Sequence, residues 1–307
     1  SNKKLDKFNW NQELHRKRKD ETIYNGSRIT IPVRPLKDDK LKLRGLHIED
    51  EIVFTDNITV LKLKDNDKYI NAFPYTAIIN SKLLGFYFYQ VSSQWGKGEE
   101  KRAKLRNVDL ETLPIKKISN PETLSLFTDK INSYIQVRED GQDGIALLNE
   151  LDENVYNLYE LTDYEKEIIN EFYQVKVERA SDKLKFVQSR DIQIYFEAFK
   201  ESFELILSGN HTLNASYSIS ANVGAIIKIS IVEKASSKEL EQDNTMQVLQ
   251  FVKNKQLSDT DKLLKEEKIK LYESTNFYLI KSNQFKDWTK RQALKDAKEE
   301  IDLLLSK

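Results

Sequence analysis

Residues 79–90 read INSKLLGFYFYQ and pass directly into VSSQWGKGEEKRAKLRNVDLETLPI (91–115), a glycine-containing basic loop closed by a short apolar run. Upstream, Pro74 is placed to open a helix, because a first turn leaves its N–H donors unpaired and a proline there loses nothing. Tyr75, Ile79, Leu83 and Phe86 then recur at three- and four-residue spacing, the period of one helix face. The preceding residues supply a surface for that face: GSRITIPV (26–33) and DEIVFTDNITVLKL (50–63) are patterned as strands of a small sheet. The order describes a loop held at both ends and offered to something anionic.

Working outward, residues 1–20 form a strongly basic linker or arm, with Arg16, Lys17, Arg18 and Lys19 in a row. Residues 21–120 make one α+β domain, a small mixed sheet with packed helices. A helical segment follows over 121–178. Pro121 and Asn120 mark the start and cap of PETLSLFTDKINSYIQV (121–137), a second helical run covers about 144–160, and Thr162 with Glu165 has capping-box spacing before EKEIINEFY. A second α+β domain occupies 179–307. It has a helix in DIQIYFEAFKESFELILSG (191–209) ended by Gly209, strands in TLNASYSIS and GAIIKISIVE, helical stretches near 237–254 and 257–268, a strand in NFYLIK (276–281), and a final helix near 288–305. On that last helix Trp288, Ala293, Leu294 and Ala297 share a packing face.

A chain of 307 residues has room for about two domains, and 39% apolar with 32% charged residues describes a soluble globular protein. No apolar run approaches the roughly 18–20 residues of a membrane span. The absence of cysteine excludes disulfides and thiolate metal sites and fits a reducing, cytoplasmic setting. The Ser-Asn opening reads as the remnant of a cleaved tag, so a fragment of a longer protein is expected. Net charge is zero, yet residues 1–118 carry 24 Lys/Arg against 16 Asp/Glu and the remainder 25 against 33. A basic half beside an acidic half is the asymmetry expected when one part meets a polyanion.

Catalytic patterns are missing. There is no glycine-rich turn for a nucleotide or S-adenosylmethionine, and His15, His47 and His211 are too dispersed for a metal pair. Neither a nucleophile elbow nor a nuclease Asp followed by Glu-x-Lys occurs; Glu233-Lys234 lacks the spacing. No catalytic residue and no metal ligand is therefore assigned.

YNGSRITI (24–31), FTDNITVLKL (54–63), AIINSKLLGFYF (77–88), the basic loop and LETLPIKKI (110–118), taken in that order, resemble the C-terminal target-recognition region of bacterial adenine-N6 DNA methyltransferases. These are the TaqI-like and Eco57I-like enzymes, including fused type IIG restriction-modification proteins. LDENVYNLYELTDYEKEII (151–169) is similar to the helical segment that follows in the same family. The likeness covers about residues 20–175. The family's cofactor motif and its Asn/Asp-Pro-Pro-Tyr/Phe motif do not occur: Asn120-Pro121 continues as Glu-Thr, and Phe73-Pro74-Tyr75 lacks the preceding pair. The resemblance implies that this region selects the DNA sequence, while an upstream methyltransferase domain of the same chain binds S-adenosylmethionine and performs the chemistry.

In a duplex-holding module, Lys and Arg neutralise phosphates and side chains reaching base edges read sequence. Lys97, Lys101, Arg102, Lys104 and Arg106 fit the first role, any of the arginines can pair with guanine, and Gln94 can read adenine. Trp95 fits a groove wedge or a core anchor, and Gly96 and Gly98 allow close backbone approach. The basic cluster also fits a solvated helix face balanced by Glu99 and Glu100. Arg28, Arg34 and Arg44 either follow the phosphate backbone from the sheet or keep it soluble. The alternative function is a non-enzymatic adaptor whose basic half binds RNA or an acidic protein.

Overall fold

A computed structural model describes residues 24–34, 41–52, 54, 57–65, 68–92, 105, 107–178, 186–220, 224–243, 268–273 and 276–306. The fold is mixed α+β and divides into two compact units between Ile169 and Asn170.

In the first unit, β1 (Arg28–Pro32) is the centre of a three-stranded antiparallel sheet, flanked by β2 (Leu46–Ile48) and β3 (Ile58–Leu61). Of the one or two strands expected within 50–63, the described residues form β3, and Leu46–Ile48, too short to show alternation, is an unexpected strand. A small hairpin pairs β4 (Lys64–Asp65) with β5 (Lys68–Tyr69). The helix after Pro74 is interrupted: α1 (Tyr75–Ile79) stops at Asn80, and Ser81 caps α2 (Lys82–Val91) by accepting from the Leu84 N–H at 3.2 Å. The break rotates the buried face, so Leu84 and Phe88 are buried while Leu83 and Phe86 are only half-buried.

The short α3 (Asn107–Glu111) precedes α4 (Pro121–Glu139), α5 (Ile145–Leu158) and α6 (Asp163–Tyr173), which continues as a π-helical turn to Glu178. Asn120 caps α4 through the Glu122 N–H (2.8 Å), and Thr162 and Glu165 form the reciprocal pair that their spacing predicts, with the Glu165 carboxylate accepting from the Thr162 N–H (2.8 Å). Phe127, Ile131, Leu151 and Val155 of α4 and α5 join Ile29, Ile31, Ile79, Leu84 and Phe88 in one core. The helical segment therefore completes the hydrophobic interior of the small sheet.

In the second unit, α7 (Ser189–Glu204) precedes the long hairpin of β6 (His211–Ser220) and β7 (Gly224–Glu233). The sheet is completed by β8 (Glu241–Gln242), β9 (Lys268–Glu273) and β10 (Asn276–Lys281), in the order β8-β6-β7-β10-β9. Among the described residues only β8 pairs in parallel. Gly224, at φ +145°, lies so close to β10 that a Cβ there would run into the Lys281 carbonyl oxygen, a position only glycine fits.

The last helix, α8 (Lys290–Leu305), buries Ala293 and Ala297 beside Trp288, with Leu294 partly buried, as the packing face predicts. α7 ends at Glu204, five residues before Gly209. Residues 237–242 are extended where a helix was expected, because the Asn214 side chain and the free edge of β6 offer their backbone better partners. Residues 244–267 of the two expected helical stretches lie outside the described residues, and Lys268, expected to end the second, begins β9. Among the described residues no helix is long and apolar enough to cross a membrane.

Candidate nucleic-acid interface

The basic loop leaves α2 at Ser92 and returns at Leu105, and both stems are pinned. Ser92 is 1% exposed; its N–H donates to the Phe88 carbonyl (2.9 Å) and its hydroxyl to the buried carboxylate of Asp109 (3.4 Å). Leu105 is 3% exposed, and its N–H donates to the Val33 carbonyl at 2.7 Å. Leu105 thus returns beside the C-terminal end of β1, and α3 supplies Asp109 as the tie to Ser92.

The flanking motifs build the frame. The Asn80 side chain grips Gly45 through both backbone groups, accepting from its N–H at 2.7 Å and donating to its carbonyl at 2.8 Å. Gly45 has no alternative there, because a Cβ would meet Ile79 at 2.7 Å and Ile29 at 2.8 Å. The Lys82 N–H donates to Asp152 (2.7 Å), whose other oxygen pairs with Lys42 at 3.2 Å, tying α2 to α5. After the loop, the Tyr159 hydroxyl donates to the Pro114 carbonyl (2.5 Å) and accepts from the Lys116 N–H (2.9 Å), while the Tyr75 hydroxyl accepts from the Ile118 N–H (3.2 Å). Burial raises the pKa of the Tyr159 phenol, so it stays a neutral donor.

Gln94, Trp95, Lys97, Lys101, Arg102, Lys104 and Arg106 lie outside the described residues. Arg34 and Arg44 are exposed. Arg34 directly follows Val33, where the loop returns, and Arg44 directly precedes the gripped Gly45. Arg28 is different: it is fully buried, donates to the Gly26 (2.7 Å) and Asp50 (2.5 Å) carbonyls, and lies over the Phe54 ring at 5.5 Å. Desolvation lowers its pKa, and its guanidinium is engaged in closing the sheet end, so it leaves the set of phosphate contacts.

Two arrangements escape local pattern reading. The Ser27 hydroxyl lies 2.9 Å from His47 Nε2 and accepts from the Ala72 N–H at 2.7 Å. The Glu49 carboxylate sits 3.6 Å from that same nitrogen and not on the opposite one, where the orienting group of a hydrolytic relay belongs. The pair straps β1 and β2 to the approach of α1. Burial, with Arg28 adding to it and Glu49 opposing, lowers the His47 pKa.

In the second unit, Lys281 is 2% exposed and bonds the carboxylate of Asp296, the Tyr195 hydroxyl (3.1 Å) and the Asp287 carbonyl (3.0 Å). Lys268 reaches the other Asp296 oxygen at 2.8 Å and also pairs with Glu299. Burial lowers the Lys281 pKa to about 8, while its charge and those around it hold Asp296 low. A fully satisfied network of this kind fixes α8 on the sheet. Among the described residues no cluster of side chains suited to a metal ion occurs. No family model, curated protein or solved structure matches the chain.

Proposed function

We propose that the first unit recognises a specific double-stranded DNA sequence for an adenine-N6 DNA methyltransferase whose catalytic domain lies upstream in the same polypeptide. The supporting observation is the frame. At the segments that carry the resemblance, Asn80 bonds both backbone groups of Gly45, the Lys82 N–H bonds Asp152, and Tyr159 bonds the Pro114 carbonyl, so the helix before the basic loop and the run after it are each tied down. A rigid frame with a replaceable loop suits a task in which the fold is constant and the sequence read is not. A base-modifying enzyme must extrude its target at a cost of a few kcal/mol, so contacts outside the catalytic pocket have to hold the duplex. Lys97, Lys101, Arg102, Lys104 and Arg106 supply phosphate contacts in this reading, Gln94 and Trp95 the groove contacts, and Arg34 and Arg44 flank them.

Two measurements test it. Fluorescence anisotropy on the methyltransferase-containing protein compares its cognate duplex with a scrambled one after Lys101, Arg102, Lys104 and Arg106 are changed together to Ala. Affinity should fall on both duplexes, and the salt slope should flatten by about 0.9 for each phosphate no longer neutralised. Unchanged affinity, slope and methylation pattern would make the loop a solvated face. Residues 1–307 alone should show no saturable heat on titration with S-adenosylmethionine.

A further inference from the structure

The second unit carries an open groove of about 660 Å³, within the size range of sites that take small molecules. One wall is the face of α7 presenting Arg190, Gln193 and Lys200, and the other is the extended segment Ser237–Leu240. That second wall is fixed at both ends. The Asn214 side chain accepts from the Lys238 N–H (2.9 Å) and donates to the Ser236 carbonyl (3.1 Å). Beyond it, β8 pairs with Ser216 and Tyr217, and the Asp243 N–H donates to the Tyr217 carbonyl at 2.8 Å. Walls already ordered cost a ligand little to engage.

Tyr217 is the observation that points to an occupant. It is 6% exposed and belongs to the core, yet it lines the groove and its hydroxyl has no hydrogen-bond partner among the described residues. A ligand that fills the groove shuts water away from that hydroxyl, so one that brings it an acceptor is favoured over one that leaves it unpaired. Charge supplies the rest. Arg190 and Lys238 line the groove without an ion-pair partner among the described residues, whereas Lys200 is paired with Glu204 (3.9 Å) and Glu197 accepts from Gln193 (3.1 Å). Glu197 keeps its charge in that bond and Glu239 also lines the groove, so the lining itself holds three cations against two carboxylates, one net positive charge, with Glu204 outside it as the partner of Lys200. The positive end of the α7 dipole, at Ser189, adds to that preference, although Asp191 already caps the Gln188 N–H.

We propose that this groove binds a small molecule carrying one anionic group, phosphate or carboxylate, between Arg190 and Lys238, with an acceptor on the Tyr217 hydroxyl. The site is independent of the DNA reading. Isothermal titration of the full chain with adenosine 5′-monophosphate, inorganic phosphate and succinate separates the phosphate from the carboxylate source. At least one probe should bind saturably. Arg190→Gln with Lys238→Gln should weaken it by about tenfold or more, the loss of charge-assisted hydrogen bonds. Tyr217→Phe should weaken it by about fivefold, the loss of one neutral bond, with the urea midpoint no lower than that of the parent. No saturable binding of any probe at millimolar concentration, or equal affinity in the Arg190/Lys238 double variant, overturns the proposal. Both residues of that variant are exposed, so its outcome stands even if Tyr217→Phe disturbs the core.

Discussion

The two units hold irregular and regular chain by different means. In the first unit, neutral side chains bond backbone: Asn80 on Gly45, Tyr159 on Pro114 and Lys116, Tyr75 on Ile118, Ser27 on Ala72. In the second unit the backbone is satisfied by long strand pairings, and the decisive side chains bond each other, Lys281 and Lys268 with Asp296, and Lys270 with Glu299 and Glu300. Where a sheet already pairs its peptide groups, side chains are released to lock helix against strand. A loop frame has no ladder, so its side chains must complete the peptide bonding themselves.

The largest effect should come from breaking the charged lock. Asp296→Ala leaves Lys281 buried without its carboxylate, and urea denaturation should show a loss of about 3–5 kcal/mol, read from the second unit by peptide-resolved hydrogen exchange. The double change Lys281→Met with Asp296→Leu should recover most of that loss, because apolar groups of similar volume can replace a buried ion pair. A double variant no better than the single one would mean that Lys268, Tyr195 and Gln292 hold the carboxylate for reasons beyond the pair.

In the first unit, Asn80→Ala removes two backbone bonds and should cost about 2 kcal/mol, with exchange rising at Gly45 and in α2. If exchange in the second unit rises equally, the two frames are not separate. Thr162→Ala removes one half of a cap on an exposed helix end and should cost about 1 kcal/mol.

The smallest effect is pH dependence through His47. Its folded pKa lies below the ordinary 6.5, so the unfolded chain takes up a proton first as pH falls. Stability from this group is full above 6.5 and declines as pH drops through 6.5 toward the folded pKa. His47→Gln should flatten that part of the stability profile, and an unaltered profile would remove His47 as the cause.

The features readable along the chain are those settled within one or two turns. Asn120 before Pro121, Thr162 three residues before Glu165, the alternation through β6 and the apolar, β-branched or aromatic runs of β7 and NFYLIK each carry their structure locally, because caps and strands depend on residues a few positions apart. The flanks of the basic loop were legible in the same way, as a helix before it and Leu113-Pro114-Ile115 after it. What the side chains of that frame grip was not.

The periodicity that joined Tyr75 to Phe86 as one helix gave no sign that Asn80 would turn aside to Gly45, 35 residues away. Charge count made Arg28 a surface contact, until closure of the sheet end buried it against two carbonyls. Lys281 and Asp296 read as ordinary surface charges on a strand and a helix, and the Tyr195 hydroxyl that joins them comes from 101 residues before Asp296. Composition and local pattern determined the long helices, the main strands and where basic charge collects. Only the tertiary structure decided which polar groups lose their water, because desolvation depends on what the rest of the chain brings against them.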